Sequence, residues 1–224
     1  MNTSSSKSKV SESNVSESNA SEKNYRLIAV SGGIGSGKSI VCKILRSMGY
    51  PCYDCDSHAR SIMEGDMEIK RSIAAALGED TLKADGTLDR NRISQIVFGD
   101  RNYLYKLNSI VHGAVRDDLH RWCLELCHDH KILFVETAIL YESGLDRMVE
   151  AVWQVTAPAE LRVQRVMSRN GLSADAVKAR IKAQEAAVPA VHPPTYPIVN
   201  DGKTGLLPQV LSLLAEASQV QPRG

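Results

Sequence analysis

The chain has 224 residues, of which 43% are hydrophobic and 24% charged, and its formal net charge is +1. These values are typical of one packed domain, and the near-zero net charge excludes a global attraction to nucleic acid or to a membrane surface. No apolar run approaches the roughly 20 residues of a membrane span, and the N-terminus lacks the apolar stretch of a signal peptide. We therefore expect a cytoplasmic protein with no nucleic-acid or membrane partner, whose five cysteines are free thiols.

The first 24 residues are rich in Ser, Asn, Glu and Lys and contain an imperfect five-residue repeat. A period of five matches neither a helix nor a strand, and almost no apolar residue is present to offset the entropy of ordering the segment. Residues 1–24 are therefore predicted to be a disordered tail, and residues 218–224 a flexible C-terminus.

The ordered part opens with a strand, a glycine-rich loop, a helix and a second strand. The apolar run 26–30 predicts a buried parallel strand, residues 31–37 a loop, and residues 38–48 a helix. Residues 52–56 predict the second strand. Strand, helix and strand within about 30 residues indicate a βαβ unit.

The rest of the chain alternates between helical and strand patterns. Residues 57–130 have several helical patterns and no convincing strand, which indicates a helical insertion over the sheet. Further strands are predicted at 131–135, 151–155 and 196–199, and further helices at 159–168, 173–187 (with Ser173 as N-cap) and 205–217.

The segment Gly32–Ser39 matches the pattern G-x-x-x-x-G-K-[ST] between a predicted strand and a predicted helix. Its glycines let successive backbone N–H groups curl around a phosphate, and the helix N-terminus adds a favourable dipole. Lys38 would neutralise the β- and γ-phosphates, and the Ser39 hydroxyl would ligate Mg²⁺. The alternative is a glycine-rich turn that only joins the strand to the helix, but such a turn does not account for Lys38 and Ser39. We expect ATP binding by Gly33, Ile34, Gly35, Ser36, Gly37, Lys38, Ser39 and Ile40.

Two carboxylates, Asp54 and Asp56, end the second predicted strand. At i and i+2 of a strand they would point to one side, at the sheet edge where α/β proteins bind ligands. A carboxylate there accepts a proton from an attacking hydroxyl or helps to hold Mg²⁺. The alternative is that Asp56 caps a helix that begins at Ser57.

Three arginines, Arg162, Arg165 and Arg169, form a positive stripe on one predicted helix. A solvated surface helix is the alternative, but beside a phosphate-binding loop the stripe favours a mobile lid that closes over the γ-phosphate. Glu136 ends the third predicted strand, where it either orients Mg²⁺ through water or is a solvated strand end.

These residues alone leave the class of nucleotide enzyme open. No Asn-Lys-x-Asp segment is present for reading guanine, which counts against a GTPase, and no apolar run ends in Asp-Glu, which weakens a motor ATPase. A kinase for a nucleoside or nucleotide and a non-catalytic nucleotide-binding switch module remain alternatives.

An ordered series of segments between about Tyr25 and Ala217 resembles the dephospho-CoA kinase family. The P-loop by itself is generic, whereas the whole series is specific. Its members are the opening Val-Ser-Gly-Gly-Ile-Gly-Ser-Gly-Lys-Ser, Asp54–Arg60, Asp85–Arg90, Val97–Phe98, Leu107–His112, Ile139–Glu142, Leu161, Arg165, Arg169, Gln184 and Asn200–Gly202.

The resemblance implies an ATP-dependent phosphotransferase that phosphorylates the ribose 3′-hydroxyl of dephospho-CoA, giving CoA and ADP. It makes Asp56 the general base, with Asp54 supporting that base or the metal. Arg60 and His112 match positions that line the dephospho-CoA pocket. The implied cofactors are ATP and Mg²⁺, and we expect a monomer or a small homo-oligomer.

The resemblance also assigns residues to the lid and to the adenine site. Arg165 and Arg169 match the lid, with Arg165 joining Lys38 and Asp56 in catalysis, and Asn200 lies where the chain turns beside the adenine. The expected fold is α/β, a three-layer P-loop NTPase fold of about five parallel strands. Its expected parts are a nucleotide-binding core of residues 25–56, 131–160 and 195–217, a helical dephospho-CoA-binding insertion of residues 57–130, and a lid of residues 161–194.

Overall fold

The structure, a computed structural model, describes residues 24–183 and 189–219. Five parallel strands form one sheet in the order β2-β3-β1-β4-β5, which confirms the predicted fold class. The strands are β1 (Arg26–Ser31), β2 (Cys52–Asp54), β3 (Ile132–Thr137), β4 (Ala151–Thr156) and β5 (Thr195–Val199).

Eight α-helices accompany this sheet in the described part of the chain. They are α1 (Lys38–Ser47), α2 (Cys55–Gly65), α3 (Met67–Leu77), α4 (Arg90–Gly99), α5 (Arg101–Leu126), α6 (Ala159–Asn170), α7 (Ala174–Ala183) and α8 (Leu206–Gln219).

Strand β1 is the middle of the sheet and is buried on both faces, as its apolar sequence predicts. Leu27 and Ala29 face a core completed by α5, whereas Ile28 and Val30 face a core completed by α1 and α8. Helices on both sheet faces give the three layers. Because β1 lies between β3 and β4, the loop that follows it opens at the centre of the sheet edge.

The segment between β2 and β3 is mostly helical. Residues 57–130 contain the rest of α2 and the helices α3, α4 and α5, with an isolated bridge between Leu82 and Leu88 flanking a turn at residues 84–86. The 26-residue helix α5 joins the insertion to the core through Val115, Leu119 and Cys123. No helix within 24–183 or 189–219 is long and apolar enough to cross a bilayer.

The prediction for the end of β2 is wrong. The strand stops at Asp54, and α2 begins at Cys55 rather than at Ser57. The reason is local, because the Asp54 side chain accepts hydrogen bonds from the backbone N–H groups of Asp56 and Ser57 and so caps the helix. Asp54 and Asp56 therefore do not lie on one strand. The N-cap of α2 is Asp54, not Asp56.

Some predicted features lie outside the described residues, and others can be compared with the structure. The predicted tail, apart from Asn24, lies outside them, as does Gln184 of the predicted lid. Helix α7 is capped by Ser173 as expected, through a hydrogen bond from the backbone N–H of Ala176. Helix α8 reaches Gln219, two residues into the segment predicted to be flexible. The five cysteines are free thiols, as predicted.

Candidate active site

The glycine-rich loop lies between the central strand β1 and the N-terminus of α1. Gly37, the last residue before α1, has a φ of 100°, which L side chains rarely adopt. A Cβ on Gly37 would also lie 2.0 Å from the Asn200 side-chain nitrogen. Gly37 is therefore required both by the backbone conformation and by the space around it.

Lys38, the first residue of α1, folds back over this loop. Its Nζ donates hydrogen bonds to the carbonyl oxygens of Gly32 at 2.8 Å and Gly33 at 3.4 Å. Burial lowers the pKa of Lys38, and the nearby carboxylates of Glu136 and Asp56 oppose that effect. The ammonium group therefore lies between the phosphate-binding loop and a group of acidic side chains.

The acidic side chains come from two neighbouring strand ends. Asp54 on β2 pairs in register with Glu136 on β3, which in turn pairs with Val30 on β1. Burial, and then the negative charge of Asp54, raise the pKa of Glu136. Carboxylates that disfavour each other's charge make an oxygen-rich site in which a hard divalent cation is favourable.

Asp54 and Asp56 differ in what they contact. One oxygen of Asp54 accepts from the backbone N–H groups of Asp56 and Ser57, and the other accepts from the Ser57 hydroxyl at 2.9 Å. Asp56 is exposed in the first turn of α2, and its carboxylate has no hydrogen-bond partner among residues 24–183 and 189–219. The arrangement makes Asp54 a structural anchor and leaves Asp56 available to a ligand.

Helix α6 lies across the phosphate-binding loop through its arginines. Arg162 Nε donates to the carbonyl oxygen of Ile34 at 2.9 Å. Arg165 donates to the carbonyl oxygens of Gly35 and Ser36 at 3.4 and 3.5 Å. Arg162 and Arg165 of the arginine stripe therefore face the loop, a choice between lid and surface that the sequence left open.

Asn200, which follows β5, connects this arginine layer to the loop. Its side-chain nitrogen donates to the Ser36 carbonyl oxygen at 2.7 Å, and its side-chain oxygen accepts from Arg165 at 3.2 Å. Asn200 is buried. The side chain thus ties β5, the loop and α6 together.

The helix pair α6–α7 has a small core of its own. Val166, Val177 and Ile181 are buried together, and Ile34 of the loop packs against them. This core is separate from the two that flank the sheet. A helix pair with a small core of its own is suited to move as a unit.

One cavity of about 600 Å³ brings most of the predicted site residues together. Glu136, Ser57, Ala138 and Val166 line it too. The sequence gives no signal for Ser57, Ala138 or Val166, because their places depend on how α2, the loop after β3 and α6 pack. The predicted residues that line this cavity are Ile34, Gly35, Gly37, Lys38, Ser39, Ile40, Asp54, Asp56, Arg60, Arg165 and Arg169.

His112 is not brought into this cavity. It lines a separate one of about 940 Å³, together with Arg116, His120 and Arg147. Burial and the Arg116 charge lower the pKa of His112, which favours the neutral imidazole. Gly33, Ser36 and Asn200 also do not line the first cavity, since Ser36 and Asn200 are buried behind the loop.

Comparison with known proteins gives a consistent result across most of the chain. A family model described as dephospho-CoA kinase matches residues 26–205. The dephospho-CoA kinase of Bacteroides fragilis is 33% identical over 189 residues, which cover 84% of this chain and 91% of that protein. That of Moorella thermoacetica is 38% identical over 160 residues, which cover 70% of this chain and 76% of that protein.

Solved structures agree with the fold. A Thermus thermophilus protein is 33% identical, with a TM-score of 0.67, over 89% of this chain and 100% of that chain. A dephospho-CoA kinase from Campylobacter jejuni is 24% identical, with a TM-score of 0.59, over 86% of this chain and 97% of that chain. The second likeness is evidence for the fold alone.

Proposed function

The chain belongs to the dephospho-CoA kinase family, and from that premise we propose that its 600 Å³ cavity transfers the γ-phosphoryl group of ATP to the ribose 3′-hydroxyl of dephospho-CoA. One observation carries the proposal. The phosphate-binding Lys38, the available carboxylate of Asp56 and the lid arginine Arg165 all line this single cavity. Phosphoryl transfer needs these three groups around one reacting phosphate.

The nucleotide's phosphates are proposed to bind along the loop Gly33–Ile40. The backbone N–H groups there and the dipole of α1 supply a positive site. Lys38, now hydrogen-bonded to loop carbonyl oxygens, would exchange those contacts for the more favourable oxygens of the β- and γ-phosphates. Arg169, which lines the same cavity, completes the proposed ATP site, and Asn200 stays a prediction from the resemblance.

Mg²⁺ is proposed to bind beside Ser39, which lines the same cavity as Asp54 and Glu136. The donor set fits, because hydroxyl and carboxylate oxygens are the ligands that this ion prefers. Burial, and then the charge of Asp54, raise the pKa of Glu136, and a bound cation would favour the charged form of both carboxylates. When bound, the ion neutralises phosphate charge and orients the phosphates.

Asp56 is proposed to be the general base. Its exposed carboxylate accepts the proton of the 3′-hydroxyl as the oxygen attacks the γ-phosphorus, the bond to the β-phosphate oxygen breaks, and ADP leaves. Asp54 supports this step indirectly, because it fixes the first turn of α2. Arg165 would leave the loop carbonyl oxygens to stabilise charge on the transferred group.

Arg60 is proposed to contact the acceptor, since it lines the cavity one helical turn beyond Asp56. His112 stays a prediction from the resemblance, as do the domain boundaries, the cytoplasmic location and the expected monomer or small homo-oligomer.

The proposed reaction is tested by measuring ADP release with and without dephospho-CoA. We expect release that depends on dephospho-CoA and yields CoA carrying a 3′-phosphate. Phosphorylation of a nucleoside or a nucleoside monophosphate in place of dephospho-CoA would replace the proposal with a nucleoside or nucleotide kinase. ATP binding without transfer to any hydroxyl would instead indicate the switch module.

A further inference from the structure

A hydrogen-bonded group of three side chains lies where β2, α2 and α5 meet. The hydroxyl of Tyr53 on β2 donates to Asp118 Oδ2 on α5 at 2.7 Å, and His58 Nδ1 on α2 lies 3.0 Å from the same oxygen. Asp118 is 60 residues from His58 and 65 from Tyr53 along the chain. The packing of the fold, and not local sequence, therefore brings this group together.

The proton positions in this group follow from its chemistry. Tyr53 is buried. Burial, and then the hydrogen bond to Asp118, raise the pKa of Tyr53, so its hydroxyl keeps its proton and donates. Because an ionised carboxylate only accepts hydrogen bonds, His58 carries a proton on Nδ1 and donates it to Asp118. Asp118 Oδ2 thus accepts two hydrogen bonds at once.

The His58 ring is also held by its face. It stacks on Tyr53 with the ring centroids 3.8 Å apart and the planes 25° apart. Trp122 of α5 meets the same tyrosine at its edge, with the centroids 5.5 Å apart. The stacking fixes the height of the imidazole above Tyr53, and the hydrogen bond fixes its direction. The ring is therefore held in one position, although the His58 side chain is 39% exposed.

His58 lies on the opposite side of α2 from the residues that face the active site. At about 100° per residue, His58 is about 200° around the helix from Asp56, whereas Arg60 is only about 40° from it. Asp56 and Arg60 line the active-site cavity, and neither His58 nor Asp118 does. A contact at His58 therefore acts on the direction of Asp56 through the helix, without touching a substrate.

We propose that His58 and Asp118 are positioning residues, which hold α2 so that the Asp56 carboxylate faces the acceptor hydroxyl. The inference rests on the proposed function, in which Asp56 is the general base. The remaining contacts of α2 with the core are largely apolar, and apolar contact is not directional. The hydrogen bond between His58 and Asp118 is directional, so it restrains the rotation of α2 in a way that those contacts do not.

Two replacements of His58 separate the position of α2 from the stability of the fold. His58→Asn places an amide N–H near the site of Nδ1, so it keeps the hydrogen bond to Asp118 but loses the stacked ring. His58→Phe keeps a ring on Tyr53 but loses the donor. If the group only stabilised the fold, the more stable of the two variants would also be the more active.

In the full chain we expect His58→Phe to lower kcat for dephospho-CoA roughly 10- to 100-fold, the cost of displacing a reacting group by about 1 Å. His58→Asn should keep most of the wild-type kcat, even though its Tm should be lower than that of His58→Phe. The Kd for ATP should stay unchanged in both variants, because the phosphate-binding loop is not part of α2. Arg121→Met removes the exposed partner of the other Asp118 oxygen and is the matched control.

A second pair of variants changes the α5 side of the contact. Asp118→Asn retains an oxygen that can accept from Tyr53 and His58, so it should keep most of the wild-type kcat. Asp118→Leu removes that oxygen and should lower kcat as His58→Phe does. When His58→Phe is combined with Asp56→Asn, kcat should fall little below that of Asp56→Asn alone, because both changes act on the same base.

The outcomes separate this inference from the function on which it rests. A wild-type protein that does not phosphorylate dephospho-CoA overturns the proposed function, and the inference with it. If the wild type does phosphorylate it, a wild-type kcat in both His58→Phe and Asp118→Leu overturns only the positioning role. Activity that follows Tm, with His58→Asn less active than His58→Phe, does the same, as do losses of kcat that multiply in the double variant.

Discussion

The Asp54 carboxylate accepts a hydrogen bond from the backbone N–H of Asp56 at 3.1 Å, so the first acidic residue holds the second in place. If Asp56 is the base, Asp56→Asn removes the proton acceptor and keeps the shape. We expect kcat to fall by about 100-fold or more, the usual contribution of a positioned base. The Kd for ATP and the Tm should stay at wild-type values, because Asp56 is exposed. Wild-type turnover by this variant would show that another group takes the proton.

Asp54 is expected to act mainly through the helix that it caps. Asp54→Ala should lower the free energy of unfolding by about 1 kcal/mol, the usual cost of losing an N-cap. Asp54→Ser keeps a good cap but removes the carboxylate, so it should retain most of that stability. Chemical denaturation of both variants measures the cap, and their kcat values report on the charge. If Asp54→Ser loses as much activity as Asp56→Asn, the Asp54 carboxylate also acts directly on substrate or metal.

The parts of this site that sequence predicts are those that local chemistry determines. The segment Gly32–Ser39 can be identified as a phosphate-binding loop from its own residues, because its glycines and its lysine are needed together only in such a loop. The predicted start of α2 was wrong because Asp54 and Asp56 are both residue types that favour the N-cap position. Which of them caps the helix depends on the backbone conformation, which the sequence pattern does not give. Contacts between distant segments could not be predicted. Asn200 reaches Ser36 across 164 residues, and Asp118 reaches His58 across 60.

A side chain at Gly37 should abolish nucleotide binding. In Gly37→Ala the new methyl group would lie 2.0 Å from the Asn200 nitrogen, at a φ of 100°. Gly49→Ala is a matched control, because Gly49 has a φ of 87° but nothing within 4 Å of an added Cβ. Both variants should lose on the order of 1 kcal/mol of stability from the backbone, whereas only Gly37→Ala should lose ATP binding in calorimetry. Equal ATP affinities in the two variants would exclude the predicted collision.

Lys38 is expected to favour function at the expense of stability. Burial lowers the pKa of Lys38 from its ordinary value of 10.5. Between the folded-state pKa and 10.5 the folded protein binds fewer protons at this residue than the unfolded chain, so the free energy of unfolding rises with pH through that window, and below it the charged lysine weakens folding. Lys38→Met should therefore raise the Tm of the protein without ligand. It should also lower kcat/KM by roughly 100- to 1,000-fold, as the loss of one transition-state donor does. Lys43→Met, at an exposed position of α1, should change neither quantity, and a lower Tm for Lys38→Met would contradict the assignment.

Glu136 should make stability fall as pH rises. Its pKa is raised above the ordinary value of 4.5, so between the two values the folded protein binds more protons than the unfolded chain. The free energy of unfolding then decreases as pH rises from about 4.5 through the folded-state pKa. Glu136→Gln stays neutral, so its Tm should exceed that of the wild type by an amount that grows from pH 4 to pH 7. Because the lost carboxylate is a proposed Mg²⁺ ligand, the Mg²⁺ concentration for half-maximal activity should rise as well. Glu125→Gln, exposed on α5, is the control, and a Tm difference that shrinks toward pH 7 would mean that Glu136 ionises without cost in the folded protein.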